Sequence, residues 1–207
     1  RQEVLEFDKR VLPQDHPDIA TSMGHLAVTF SHLGRYDDAL KLQQELLELQ
    51  KRVLQHAHPH IASSMGHLAV TFLHLGRYDD ALKLQQQVLE FRKQVLQQDH
   101  PDIATSMGHL AVTISHLGRY DDALELQQEV SAFRKRVLPQ AHPDIATSMS
   151  NLASTFSNLG RHDDALKLDE EAFEFRKRVL PEDHPDIAAS MNNMATAFYH
   201  LGRHDDA

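Results

Sequence analysis

One pattern constrains this chain more than any other. His-Pro-x-Ile-Ala begins at His16, His58, His100, His142 and His184, always 42 residues apart. A second string, Leu-Gly-Arg, begins at Leu33, Leu75, Leu117, Leu159 and Leu201 with the same spacing and no insertion. A chain periodic over its whole 207 residues leaves no linker and no second domain, so residues 1–207 are expected to form a single array. Near-identical units of this length form a quasi-one-dimensional stack in which each unit buries its apolar face against its neighbours.

Each unit holds two helices. The first is expected from about Pro17 to Leu33. Proline at the start loses no hydrogen bond there, and Asp18 sits at the positive end of the helix dipole. Ile19, Met23, Leu26, Ala27, Phe30 and Leu33 fall at steps of three and four and make one apolar face. Gly34 follows as the cap. The second helix starts near Asp37-Asp38, with Ala39, Leu40, Leu42, Leu46, Leu47, Leu49, Val53 and Leu54 as its apolar positions. Basic residues gather in the last turns of the second helices, as in Arg134-Lys135-Arg136 and Arg176-Lys177-Arg178. There they complement the dipole on a solvated face. No stretch alternates with period two, so strands are not expected.

Leu26-Ala27, Phe30, Gly34, Tyr36 and Ala39 have the spacing of the tetratricopeptide signature, and the chain resembles that family. The unit is eight residues longer than the ordinary 34. Its ending, Arg176 to Ala188, is similar to the repeats of kinesin light chain and to 42-residue arrays of microbial and protist proteins. The resemblance implies an all-α, right-handed superhelical solenoid of antiparallel helix pairs with an extended second helix. One departure is plain. The mid-helix position usually aromatic in the family is Gln43, Gln85 and Gln127, then Asp169, so packing there must differ.

The resemblance also places function. In similar proteins the first helices line a concave groove that holds an extended peptide or a partner helix. The groove positions here are His25 and His32, His67 and His74, His109 and His116, Asn151 and Asn158, then Asn193 and His200. Residues seven apart stand two turns apart on one face, so the chain carries a double ladder of imidazoles and carboxamides. Val28, Val70 and Val112 lie between the rungs, giving way to Ser154 and Thr196. An amide both donates and accepts, so it pairs with a peptide group without reading its sequence. Asn151 and Asn193 match the asparagine that similar repeats turn toward a partner's backbone. Imidazole also donates and accepts, and it titrates near neutrality. Near-copies of one unit would also repeat any exposed residue, so a ladder of unselected surface histidines is the alternative.

Other chemistries fare poorly. His56, His58 and His60 form the densest histidine cluster, but no carboxylate orients them, so only adventitious metal binding is expected. His16 and its equivalents read as turn and capping residues ahead of the first helices. There is no Gly-rich phosphate loop, no Gly-x-Ser-x-Gly, no His-Glu-x-x-His and no cysteine. The paired aspartates recur in every unit, whereas an active site normally breaks the symmetry once, so no enzyme and no cofactor is expected. The net charge of −9 and the scarcity of aromatic residues argue against nucleic acid. No apolar run approaches the roughly 18 residues of a membrane span, which suggests a soluble, cytoplasmic chain.

The chain starts with the back part of a second helix and ends at the start of another, which suggests a fragment of a longer array. Without capping helices, head-to-tail association into an open homo-oligomer or filament is expected. The leading expectation is a scaffold that holds a protein or peptide segment in the groove. The rivals are a structural spacer or self-assembling array and, from the resemblance alone, the sensor arm of a signalling NTPase.

Overall fold

The computed structural model describes residues 1–54 and 58–203. Among them the chain forms ten α-helices and no strand. They are α1 (Gln2–Val11), α2 (Pro17–His32), α3 (Tyr36–Val53), α4 (Pro59–His74), α5 (Tyr78–Val95), α6 (Pro101–His116), α7 (Tyr120–Val137), α8 (Pro143–Asn158), α9 (His162–Val179) and α10 (Pro185–His200). Contacts gather the chain into two units, residues 1–96 and 97–207, and each is described by itself. In the first unit α1 packs on α2, α2 on α3, α3 on α4 and α4 on α5. In the second the order is α6 on α7, α7 on α8, α8 on α9 and α9 on α10. No described helix is long and apolar enough to cross a membrane.

The two recurring strings are the two chain reversals. At Leu-Gly-Arg the first helix closes with a Schellman motif. Gly34 takes a φ of 71°, and the same glycine of every repeat lies in the left-handed region. The Gly34 N–H donates to the Ser31 carbonyl at 3.0 Å and the Arg35 N–H to the Phe30 carbonyl at 2.9 Å. The arginine then binds both helices. Arg35 lies over the Phe30 ring at 4.4 Å, and its Nε donates to Asp38 Oδ2 at 2.7 Å. Arg77, Arg161 and Arg203 stack likewise on Phe72, Phe156 and Phe198. The second helix accordingly starts one residue before the paired aspartates, at Tyr36.

At His-Pro the histidine is the N-cap. His16 Nδ1 accepts the Asp18 N–H at 3.2 Å, and His58, His100, His142 and His184 repeat the bond. The residue that ends each second helix, Leu12, Leu54, Leu96, Leu138 or Leu180, is extended.

Burial follows the helical phase. One cluster of the first unit joins Leu5 of α1, Ile19, Met23 and Leu26 of α2 and Leu42, Leu46 and Leu49 of α3. In the second unit Leu152, Ala153 and Phe156 of α8 meet Ala165 of α9. Each fully buried Leu, Ile or Phe contributes roughly 1.5–3 kcal/mol. Val53 and Leu33, both placed on the apolar side by periodicity, are 41% and 65% exposed. Val53 lies in the last turn of α3, and Leu33 follows α2 as its C-cap.

The two kinds of glycine give a test with opposite signs. A Cβ at Gly160 meets nothing within 4 Å, but the backbone there is left-handed, with φ +73°. Gly160→Ala should cost about 1 kcal/mol. Gly66, inside α4, also has open space around the added carbon. Gly66→Ala should stabilise by about 0.5–1 kcal/mol. Thermal midpoints of the two variants should move in opposite directions.

Candidate functional site

The ladder residues lie where helical phase places them, one pair on each first helix. In the first unit His25 and His32 are on α2 and His67 and His74 on α4, all exposed. In the second, His109 and His116 of α6, Asn158 of α8 and Asn193 and His200 of α10 are exposed, and Asn151 of α8 is half-buried. Val28 and Val70 between the rungs are 36% and 37% exposed.

The structure gives the rungs different surroundings. His74 stacks on Tyr36 of the preceding repeat, with ring centroids 4.5 Å apart and planes within 9°. His200 stacks on His162 in the same way at 4.8 Å. These two imidazoles therefore help to hold one repeat on the next.

Three rungs come together in a cavity of about 330 Å³ between α6, α7 and α8. Its walls are Val112, Ser115 and His116, then Tyr120, then Asn151, Ser154 and Asn158, with Gln127 of α7 among them. Gln127 is 1% exposed, and its Oε1 has no hydrogen-bond partner within the protein. A buried polar atom left unpaired costs about 1–3 kcal/mol. Gln43 of α3 is likewise buried with an unpartnered Oε1. The departure at the aromatic position thus places amides in the interior beside the ladder.

A second, smaller cavity of about 140 Å³ lies between α8, α9 and α10. Ser150, Ser154 and Ser157 line it with Asp169 of α9 and Asn193 and Thr196 of α10. Asp169 takes the place of the glutamine and is 6% exposed. Burial pushes its carboxyl up to about 6, against a hydrogen bond from the Asn193 side chain and the attraction of Arg176. Arg176, itself buried, donates from Nη1 to Ser150 Oγ at 3.0 Å and to Ser190 Oγ at 2.5 Å.

Of the histidine cluster, His56 lies outside the described residues. The His58 and His60 rings meet edge to face at 4.7 Å, and His58 Nδ1 is engaged as the helix cap.

A larger cavity, about 690 Å³, lies elsewhere, over Leu12, Ile19, Met23 and Leu49 between α1 and α3. Lys9 pairs with Glu45 across it at 3.2 Å, and Arg52 pairs with Asp15. It contains no ladder residue, and its lining includes none of the buried polar atoms that lack a partner. The unpaired buried oxygens of Gln127 and Asp169 belong instead to residues that line the two polar cavities of the second unit.

Asp169 also sets a pH signature. Its folded-state value is raised, so below about pH 4 the group is protonated in folded and unfolded chains alike and contributes no difference. The penalty for its ionised form grows as pH rises from about 4 and is complete above about 6. At about 1.4 kcal/mol per pH unit this amounts to roughly 3 kcal/mol. Asp169→Asn should therefore melt above the parent chain at neutral pH, by up to that amount. The advantage should disappear when melts are repeated near pH 4.

The family model described as tetratricopeptide repeat matches residues 18–94, 60–136 and 144–207. Among solved structures, nearly identical TPR-like repeats of a putative kinesin light chain from Podosopora anserina are 26% identical, with a TM-score of 0.75 over 92% of this chain and 90% of that one. BtubC (BKLC) from P. vanneervenii is 20% identical, with a TM-score of 0.75 over 92% of this chain and 76% of that one. The Rap conjugation gene regulator of plasmid pLS20, in complex with the Phr* peptide, is 12% identical, with a TM-score of 0.72 over 87% of this chain and 48% of that one. A comparison with curated protein sequences finds no match.

Proposed function

The chain belongs to the tetratricopeptide repeat family, and from that premise we propose that it is a non-catalytic scaffold holding an extended or helical segment of another protein along its first helices. Repeats of this family generally mediate protein–protein interaction. The observation that carries the reading is the cavity between α6, α7 and α8. There the partnerless Gln127 amide oxygen is gathered with Asn151, Asn158 and His116. An extended segment carries a backbone N–H and C=O at every residue, and amides and imidazoles pair with both.

In this reading Asn151, Asn158, Asn193, His25, His32, His67, His109 and His116 supply polar contacts to the segment. His74 and His200 contribute from their stacked positions, and the valines add apolar contact. The Rap regulator, a protein of the same fold, holds a peptide, which supports a segment as the kind of partner.

Self-stacking is a second reading. Val4, Phe7 and Val11 of α1 are 52–55% exposed, and Met191 and Tyr199 of α10 are 56% and 65% exposed. Faces of this kind favour association between copies. If copies stack, the mass from light scattering should rise between micromolar and near-millimolar protein. A constant monomer mass would exclude it.

Peptides displayed on phage and selected on this chain test the scaffold reading. An enriched motif is expected, and Asn151→Ala should weaken the winning peptide about fivefold, the loss of roughly 1 kcal/mol for one hydrogen bond. No enrichment on a folded chain would sink the reading.

A further inference from the structure

We propose that the cavity between α8, α9 and α10 is a subsite for one basic side chain, lysine or arginine, of the bound segment, with the Asp169 carboxylate as its counter-ion; this rests on the scaffold reading above. Size is the first argument. At about 140 Å³ the cavity falls below the roughly 300 Å³ at which small-molecule pockets begin, and it suits the end of one side chain.

Chemistry is the second. Asp169 is the one ionisable group among the described lining residues, and Ser150, Ser154, Asn193 and Thr196 surround it with neutral oxygens. An ammonium brings three donors and a guanidinium five, and such a lining can accept them. Asp169 receives the Asn193 amide, yet its Oδ1 is buried without a partner in the protein. Gln127 one repeat earlier shows that a neutral amide is accommodated at this place. A carboxylate here is therefore an added electrostatic cost.

Charge is the third. Arg176 stands seven residues further along α9, a rise of about 10 Å, and its Nη1 is committed to Ser150 and Ser190. Its attraction leaves the carboxyl still raised to about 6. The charged residues facing Asp169 thus undercompensate it, and an incoming cation supplies what is missing. The net charge of −9 draws a basic segment toward the chain as well.

The test uses the whole chain and the peptide won from the display selection, beside an analogue whose basic residue is replaced by glutamine. Both are measured by fluorescence polarisation on the parent chain, Asp169→Asn and Asn151→Ala. Asp169→Gln, the residue carried at position 127, gives the same readout should Asp169→Asn fail to fold. The expected result is a lysine or arginine at one fixed position of the enriched motif. Asp169→Asn should weaken the basic peptide by about tenfold or more and leave the glutamine analogue unchanged, whereas Asn151→Ala weakens both. A motif without a fixed basic position, or equal weakening of both peptides by Asp169→Asn, overturns the subsite and leaves the scaffold reading standing. No enrichment at all overturns both.

Discussion

Two buried alanines in each of four repeats set the distance on which the remaining structure depends. Ala27 and Ala39, Ala69 and Ala81, Ala111 and Ala123, and Ala153 and Ala165 are all 0–1% exposed. Each pair joins a first helix to the second helix that follows it. Small side chains at the crossing let the backbones approach closely, and the larger residues above and below then interdigitate. A larger side chain at this depth would force the helices apart. The Leu-Gly-Arg turn that joins the two helices is three residues long. Its arginine reaches a ring five residues back and a carboxylate three residues ahead.

Much of this was legible in the sequence. An exact 42-residue period with proline, aspartate and glycine at helix ends leaves little freedom in the placement of helices. The Arg35 stack on Phe30 was hidden, because helical phase says nothing about a residue beyond the helix end folding back on it. The candidate site was legible in part. Counting along a first helix identifies the ladder, but the stacking of His74 on Tyr36 and of His200 on His162 joins residues 38 positions apart in different repeats. Periodicity within one helix cannot report such a contact. The amides were visible only as a departure from an aromatic position. Their phase is that of core residues, and only packing shows Gln127 and Asp169 lining cavities beside the ladder.

The buried polar groups divide into two kinds. Arg134 donates to the Asp144 carbonyl at 3.2 Å, and Arg176 donates to two serines. These guanidinium groups are satisfied and join neighbouring helices. Burial lowers the Arg134 guanidinium from its usual value, and Asp144 counters it. The second kind, Gln43, Gln127 and Asp169, keeps an oxygen unpaired. Groups of the first kind serve cohesion. Those of the second lower stability.

The change from Gln127 to Asp169 within the second unit bears on how the proposed segment would be held. Equal repeats are a ruler without numerals: an extended ligand shifted by one repeat would meet the same groups in the same order and could slide. In this unit the rungs change too, from His109 and His116 to Asn151 and Asn158. The carboxylate joins those changes in marking one interval as different from the next.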